Sequence, residues 1–341
     1  MTIGLGFGLI TCQRYPGDPR DDATLYAEAL DLATLAEDLG FDSVWTSEHH
    51  FVDDAYLPSV LPLSAAIAAR TSRVLVGTAL LLSPLHEALR VAEDAAVVDL
   101  IAGGRLVLGV GLGWRDEEFE ALGVPLRDRV RRLEDSIAVY RQAWSGEAVT
   151  GGQTLRYPGV AVRPLPARRG GPPIWIGALA EPAIARAGRI ADGFMATEVS
   201  VEGLAEQVRV ARAARREAGR TGDLAISVHL PTFAWEGDDA WEIVREHHRY
   251  VGWKYDDMGA SRGRTGEPPA PPPIDADLDA TLREQIVLGT PEEVAARIRD
   301  FAAAAGGDLH YIARLYFPGL PAAIQREAMR VFAERVAPLV R

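Results

Sequence analysis

Glu48, His49 and His50 stand in a row in "TSEHHF" (46–51), with Phe51 closing the stretch. An imidazole titrates near neutral pH and can give or take a proton, so two histidines beside a carboxylate suit proton transfer or metal binding. Adjacent residues at a strand end point to opposite sides, so at most one of the pair faces a common centre easily. HExxH spacing is absent. These points favour a chemical role for His49 and a packing or hydrogen-bonding role for His50. His229 and His310 lie in later apolar runs and, with His49, could form the metal site of a hydrolase barrel. The first run has no His-x-His, which weighs against a metal. The single lysine, Lys254 in "GWKYDDMG", falls in an expected loop. A Schiff base would have to use it, and none is expected.

Two glycine-bearing turns add to this set. "GVGLGW" (109–114) is Gly-x-Gly-x-Gly and lacks the spacing of a dinucleotide-binding turn. It reads equally as a tight turn or as a place where backbone approaches a flat ring or a phosphate. "PPIWIGALAEPAIARAG" (172–188) reads as strand, small-residue turn and helix start. The amides of that helix start could hold an anion, though an ordinary connection has the same pattern.

Elements that would position these residues are visible as alternating patterns. Eight apolar runs cover 3–10, 42–47, 73–82, 104–111, 173–178, 192–197, 224–233 and 309–317. Continuous apolar runs suit strands buried on both faces, as in parallel sheets. Between them lie amphipathic helical stretches, such as 21–40, where Leu25, Ala29, Leu32, Leu35, Ala36 and Leu39 recur at helical spacing and Gly40 supplies a stop. Eight strands with intervening helices predict a (β/α)8 TIM barrel, an α/β fold that needs roughly 250 residues. An open doubly wound sheet is the alternative. The 341 residues are expected to form one domain with insertions at about 146–173, a candidate β-hairpin, and about 254–277, a Pro/Gly-rich linker or lid. In a barrel the catalytic groups come from strand C-termini, which places "SEHH" at the mouth.

Composition narrows the partners. The net charge of −12, without a basic block, argues against nucleic acid. No apolar run is long enough for a membrane span, and the N-terminus has no signal-peptide pattern. One cysteine, Cys12, forbids an intrachain disulfide and fits a cytoplasmic location. Cys12 is expected just after the first strand, near the mouth and buried as a small apolar group. The stretch 86–103 has more apolar positions than one buried helix face needs, which suits a homodimer.

Together, "LGFDSVWTSEHHF" (39–51), "RVLVGTALLLSPLHEALRVAEDAAVVDLIAGGRLVLGVGLGWRDEEFEALGV" (73–124), "PPIWIGALAEPAIARAGRIADGF" (172–194) and "LGTPEEVAARI" (288–298) resemble the bacterial luciferase-like family of flavin-dependent oxidoreductases and monooxygenases. The resemblance implies a (β/α)8 barrel binding reduced FMN, or the deazaflavin coenzyme F-420, at the strand C-termini. It implies that His49 assists flavin–oxygen chemistry. Thr78, Ala79 and Leu80 match a bulge under the isoalloxazine ring, with a non-prolyl cis peptide between Ala79 and Leu80. Gly111, Leu112 and Trp114 match the ring and phosphate region. Gly177, Ala178, Leu179 and Ala180 match a turn lining the phosphate. Leu112 stands where luciferase has an arginine, and Leu179 and Ala180 where it has a Glu-Ser pair. The phosphate must then be held by backbone amides or by an arginine from an insertion. A small organic substrate other than a long-chain aldehyde is expected. Reduced FMN would come from a separate flavin reductase and react with O2. A deazaflavin enzyme would need no O2. A metal-dependent hydrolase and a non-catalytic flavin-binding barrel remain as other classes.

Overall fold

All eight apolar runs form strands of one parallel sheet in the computed structural model of the chain, which describes residues 2–341. The ring runs through β1 (Ile3–Ile10), β2 (Ser43–Thr46), β3 (Leu75–Thr78) and β4 (Leu106–Val110). After the antiparallel hairpin β5 (Ala148–Gly151) and β6 (Arg156–Ala161), it continues with β7 (Ile174–Gly177), β8 (Gly193–Thr197) and β9 (Ala225–Ala234). A three-residue β10 (Val287–Gly289) pairs with the end of β9 outside the ring, and β11 (Leu309–Arg314) pairs with both β9 and β1 to close it. The expected (β/α)8 barrel is thus present. β10 is too short to show a period in sequence.

Helices α1 (Asp22–Asp38), α2 (Val60–Arg70) and α3 (Ala88–Ile101) cover the early strands. The short α4 (Asp116–Ala121) and α5 (Arg129–Ser145) follow β4, then α6 (Glu181–Ile190) and α7 (Val201–Glu217) follow β7 and β8. α8 (Ala240–Met258), α9 (Ala276–Glu284), α10 (Pro291–Ala304) and α11 (Ala322–Val331) complete the layer. Their starts follow local chemistry: the Asp21 side chain accepts the Thr24 N–H at 2.8 Å, and Thr290 and Glu293 form a capping box on α10. Lys254, expected in a loop, lies on α8 and is fully buried. The helix extends because Trp241, Val244, Tyr250, Val251 and Met258 give it an apolar face.

The barrel interior is closed at its N-terminal half, which confines chemistry to the mouth. The Trp45 indole lies across the axis and stacks on Trp175 at 5.3 Å between ring centroids. It fits because β3 presents Gly77 there, where a Cβ would come within 2.2 Å of the ring. The Trp45 Nε1–H donates to Ser43 Oγ at 2.6 Å, and Ser43 meets His310 Nε2 at 2.6 Å. Burial pushes His310 down to about 4, so it is a neutral core partner at pH 7.

A second tie fixes α1 to the α2–β3 connection. Glu37 accepts the backbone N–H groups of Ser72, Arg73 and Val74 at 2.9, 2.6 and 3.0 Å. Burial raises this carboxyl, but the bonds from Val74, Arg73 and Ser72 outweigh it and lower it from 4.5 to about 2. A depressed acid stabilises the fold above its unfolded value and loses that contribution as pH falls through its folded value. Glu37→Gln is therefore expected to cost about 2 kcal/mol at pH 7, with the gap to wild type narrowing between pH 4.5 and 2. Urea titrations at pH 7 and pH 3 that show the same gap would contradict this.

Candidate active site

The chain leaves β2 at Thr46 and packs its next residues into the mouth. The loop is pinned by His49 N–H to the Leu57 carbonyl at 3.1 Å and by Leu57 N–H to Thr11 at 2.8 Å. Asp54 anchors it further, accepting from Gln13 Nε2 at 2.7 Å and Tyr250 Oη at 3.0 Å. Glu48 and His49 are buried, and the two histidines diverge as strand-end alternation requires.

His49 Nδ1–H donates to Glu118 Oε1 at 2.9 Å, and the same oxygen accepts the His50 N–H at 2.8 Å. Glu118 is fully buried on α4, and its Oε2 has no partner. Against a carboxylate oxygen Nδ1 carries the proton, and Nε2 has no protein partner among the described residues. Around the imidazole stand Tyr56, Tyr255 and Trp114, edge-on at 5.0, 5.5 and 6.0 Å between ring centroids. Tyr56 Oη donates to Ser47 Oγ at 2.9 Å and meets Tyr255 Oη at 3.1 Å. Arg115 fastens this wall to α8, donating from Nε to the Met258 carbonyl at 3.0 Å and from its Nη groups to the His50 and Phe51 carbonyls.

His50 turns the other way. Its Nε2 and that of His86 each donate to Glu48 Oε1 at 2.6 Å, and Leu82 N–H donates to Glu48 Oε2 at 3.2 Å. Burial raises the Glu48 carboxyl, but the two imidazoles outweigh it and hold it below the usual range. Burial likewise lowers His86, and Glu48 more than reverses this. The three ligand atoms lie within 4.8 Å of one another, but both imidazole protons are already spent on one oxygen. The triad of His49, His229 and His310 is not assembled. His310 is in the barrel floor, while His229 meets Thr197 Oγ1 at 3.3 Å near the mouth.

The opposite wall is made of backbone. Thr78 is buried and its hydroxyl donates to the Gly109 carbonyl at 2.7 Å. The Ala79–Leu80 peptide is cis, as the sequence comparison anticipates, and a second non-prolyl cis bond joins Gly8 and Leu9. Leu81 then bridges to β4, donating to Gly109 at 2.9 Å and accepting from Gly111 at 2.9 Å. The Leu80 side chain rests on Gly111 and Gly177, where added Cβ atoms would come within 2.7 and 2.3 Å of its Cδ1. Ala178 is buried, Leu112 is half-buried, and Trp114 and Leu179 expose 47% and 56% of their surface. Ala180 is the N-cap of α6 with no side-chain cap bond. Leu80, Gly111 and Gly177 therefore meet at one shelf, and Trp114 joins it to His49. Leu179 and Ala180 lie on the outer rim. Cys12 follows β1, buried beside the mouth, and burial pushes its thiol up to about 12.

This shelf fits a flat ring. Leu80, seated where Gly111 and Gly177 carry no Cβ, supplies an apolar step, and Trp114 and Leu179 supply exposed apolar surface. No side chain of Leu112, Leu179 or Ala180 can hold a phosphate, and Ala180 leaves the first amides of α6 without a side-chain cap.

Glu118, Tyr56, Tyr255, Arg115 and His86 were not anticipated. Glu118 sits in the acidic run "RDEEFE", which reads as a solvated face, and the tyrosines carry no local signal.

A closed parallel barrel that sets a buried imidazole–carboxylate pair beside a backbone shelf at the strand C-termini has the arrangement of a barrel enzyme. The chain belongs to the luciferase-like monooxygenase family, matching it over residues 6–309. The chain spans about half the length of several curated relatives that it matches. One is the oxygenase component of flavin-dependent trigonelline monooxygenase from Acinetobacter baylyi, 28% identical over 50% of this chain and 48% of that one. It is also similar to F420-dependent glucose-6-phosphate dehydrogenase from Kineococcus radiotolerans, 30% identical over 91% of this chain and 92% of that one. Among solved structures, monooxygenase RslO1 from Streptomyces bottropensis superposes with a TM-score of 0.82 at 25% identity, covering 99% of each chain.

Proposed function

We propose that the mouth binds reduced FMN and that the protein is a monooxygenase acting on a small organic substrate. The observation that carries this is the His49–Glu118 pair facing the shelf of Leu80, Gly111 and Gly177. When bound, reduced FMN supplies the electrons that activate O2. The chain supplies the rest. Ala79, Leu80, Gly111 and Gly177 support the ring, Trp114 flanks it, and the Gly177–Ala180 turn with the first amides of α6 takes the phosphate. Tyr56, Tyr255 and Trp114 exclude water from the His49 side, where Nε2 can accept or return a proton. Glu118 holds the ring in that tautomer, and Glu48 with His50 and His86 fixes the loop behind it.

The second reading is an oxidoreductase using coenzyme F-420. Leu112 and Ala180, which offer the phosphate no charged or hydroxyl group, keep it in play, as does the dehydrogenase from Kineococcus radiotolerans. Titration of the purified chain with FMN, reduced FMN and F-420, followed by oxygen uptake, separates the two. Tightest binding of reduced FMN with O2 consumption is expected. Preference for F-420 without O2 consumption would replace the first reading with the second.

A flavin reductase as the source of reduced FMN accords with the "oxygenase component" of the Acinetobacter relative. Among the described residues no helix is long and apolar enough to cross a membrane. The α3 face exposes Val97, Leu100 and Ile101, at 43%, 44% and 46%, in one i, i+3, i+4 stripe. A second copy of the chain would cover this stripe, and light scattering is expected to give a dimer mass that Leu100→Glu halves. A monomer mass for the wild type at micromolar concentration would remove this interface.

A further inference from the structure

Arg314 is the last residue of β11, and the strand's alternation directs it into the mouth. Tyr311 and Ala313 pack outward in the core under the helices. Ile312 packs among the barrel-filling residues, and His310 lies against Trp45 and Trp175 inside the barrel. Arg314 continues that inward register above Ile312. It exposes only 9% of its surface, and its Nε is buried without an acceptor. Among the described residues no carboxylate pairs with its guanidinium.

The other cations around the mouth are spoken for. Arg115 holds Glu117 and three backbone carbonyls. Lys254 and Arg264 share Asp53 and Asp257. An enclosed charge without a counter-charge is unfavourable, so a buried guanidinium with no partner is what an anion site looks like before its ligand arrives. Its charge acts on His229, which burial lowers to about 3 with that charge as the second cause, on Tyr56, whose burial raises it, and on His248 of α8, which burial lowers to about 4.

The position separates this cation from the cofactor shelf. In the closed ring, β11 lies four strands from β4 in either direction, so it is diametrically opposite. Of the shelf residues, Leu80 follows β3, Gly111 follows β4 and Gly177 ends β7. A phosphate held at the start of α6 is therefore on the far side from Arg314.

We propose that Arg314 binds the carboxylate of a planar organic acid that is the substrate, with the body of that acid against Tyr56, Tyr255 and Trp114. The planar fork of the guanidinium matches a carboxylate, and the aromatic edges match an apolar ring. This assignment rests on the reading of the opposite shelf as the flavin site.

The test uses benzoate and its neutral isostere benzamide as probes, titrated into the full chain by calorimetry with and without FMN. Benzoate is expected to bind the wild type at least tenfold more tightly than benzamide. Arg314→Met should erase that preference, leave the FMN titration within twofold, and melt no lower than wild type, since an unpartnered buried charge is removed. Equal binding of the two probes, no benzoate binding, or a preference that survives in Arg314→Met would each overturn the proposal. A tenfold loss of FMN affinity in Arg314→Met would overturn it too, giving the guanidinium to the cofactor phosphate. Should Arg314→Met not fold, the wild-type comparison of benzoate with benzamide still decides. Benzoate preference in a chain that binds no flavin would retire the flavin reading and leave the anion site standing.

Discussion

His49→Asn is expected to lower turnover about a hundred- to ten-thousand-fold, the usual contribution of a positioned acid or base, while the flavin titration stays near wild type. Asparagine is chosen because its amide can replace Nδ1–H as the donor to Glu118 Oε1, now at 2.9 Å. That matters because Glu118 is fully buried and already has one oxygen without a partner. Alanine would strand the carboxylate further and confuse loss of chemistry with loss of fold. Asparagine removes only the titratable Nε2. The ring shelf of Leu80, Gly111 and Gly177 is on other strands and does not touch His49, so cofactor binding should be spared. Turnover within threefold of wild type under saturating reduced cofactor would take proton transfer away from His49 and leave it a wall residue.

Lys254→Met should destabilise the fold by about 3–5 kcal/mol, the typical cost of removing one partner from a buried ion pair. The Lys254 and Asp53 side chains are fully buried and paired, and Asp257 Oδ2 lies 2.8 Å from the ammonium. Arg264 reaches Asp53 at 2.9 Å and Asp257 at 2.8 Å but is itself partly exposed, so it cannot neutralise both carboxylates once the ammonium is gone. Arg264→Gln should cost markedly less. The network also joins the loop after β2 to α8, and so holds Tyr255 against His49. Turnover should therefore fall in Lys254→Met even where the protein remains folded. Urea unfolding that shows less than 1 kcal/mol of change would mean that the site relaxes or takes in water around the two aspartates.

How much of this was legible beforehand depends on the range of the interactions involved. The apolar runs declare the eight strands because a strand buried on both faces has no polar positions to spare. The glycines at 111 and 177, and the order of the motifs, locate the shelf because a Cβ at either would meet the Leu80 side chain. His49 is legible as a strand-end imidazole. The partners that define it are not. Glu118 arrives from 69 residues away, and nothing in an acidic run marks the one member that turns inward. Lys254 looks like a loop residue until the helix face and its two aspartates, one of them 201 residues distant, bring it into the interior. Arg314 ends an ordinary apolar strand, and only closure of the ring places it across from β4 with no carboxylate beside it. Periodicity and local backbone demands act between neighbours in the chain, so the sequence by itself determined the barrel, its direction and the end that carries the chemistry. Which charges meet and which are left unpaired is set by packing between segments far apart in the chain, and only the tertiary structure decided that.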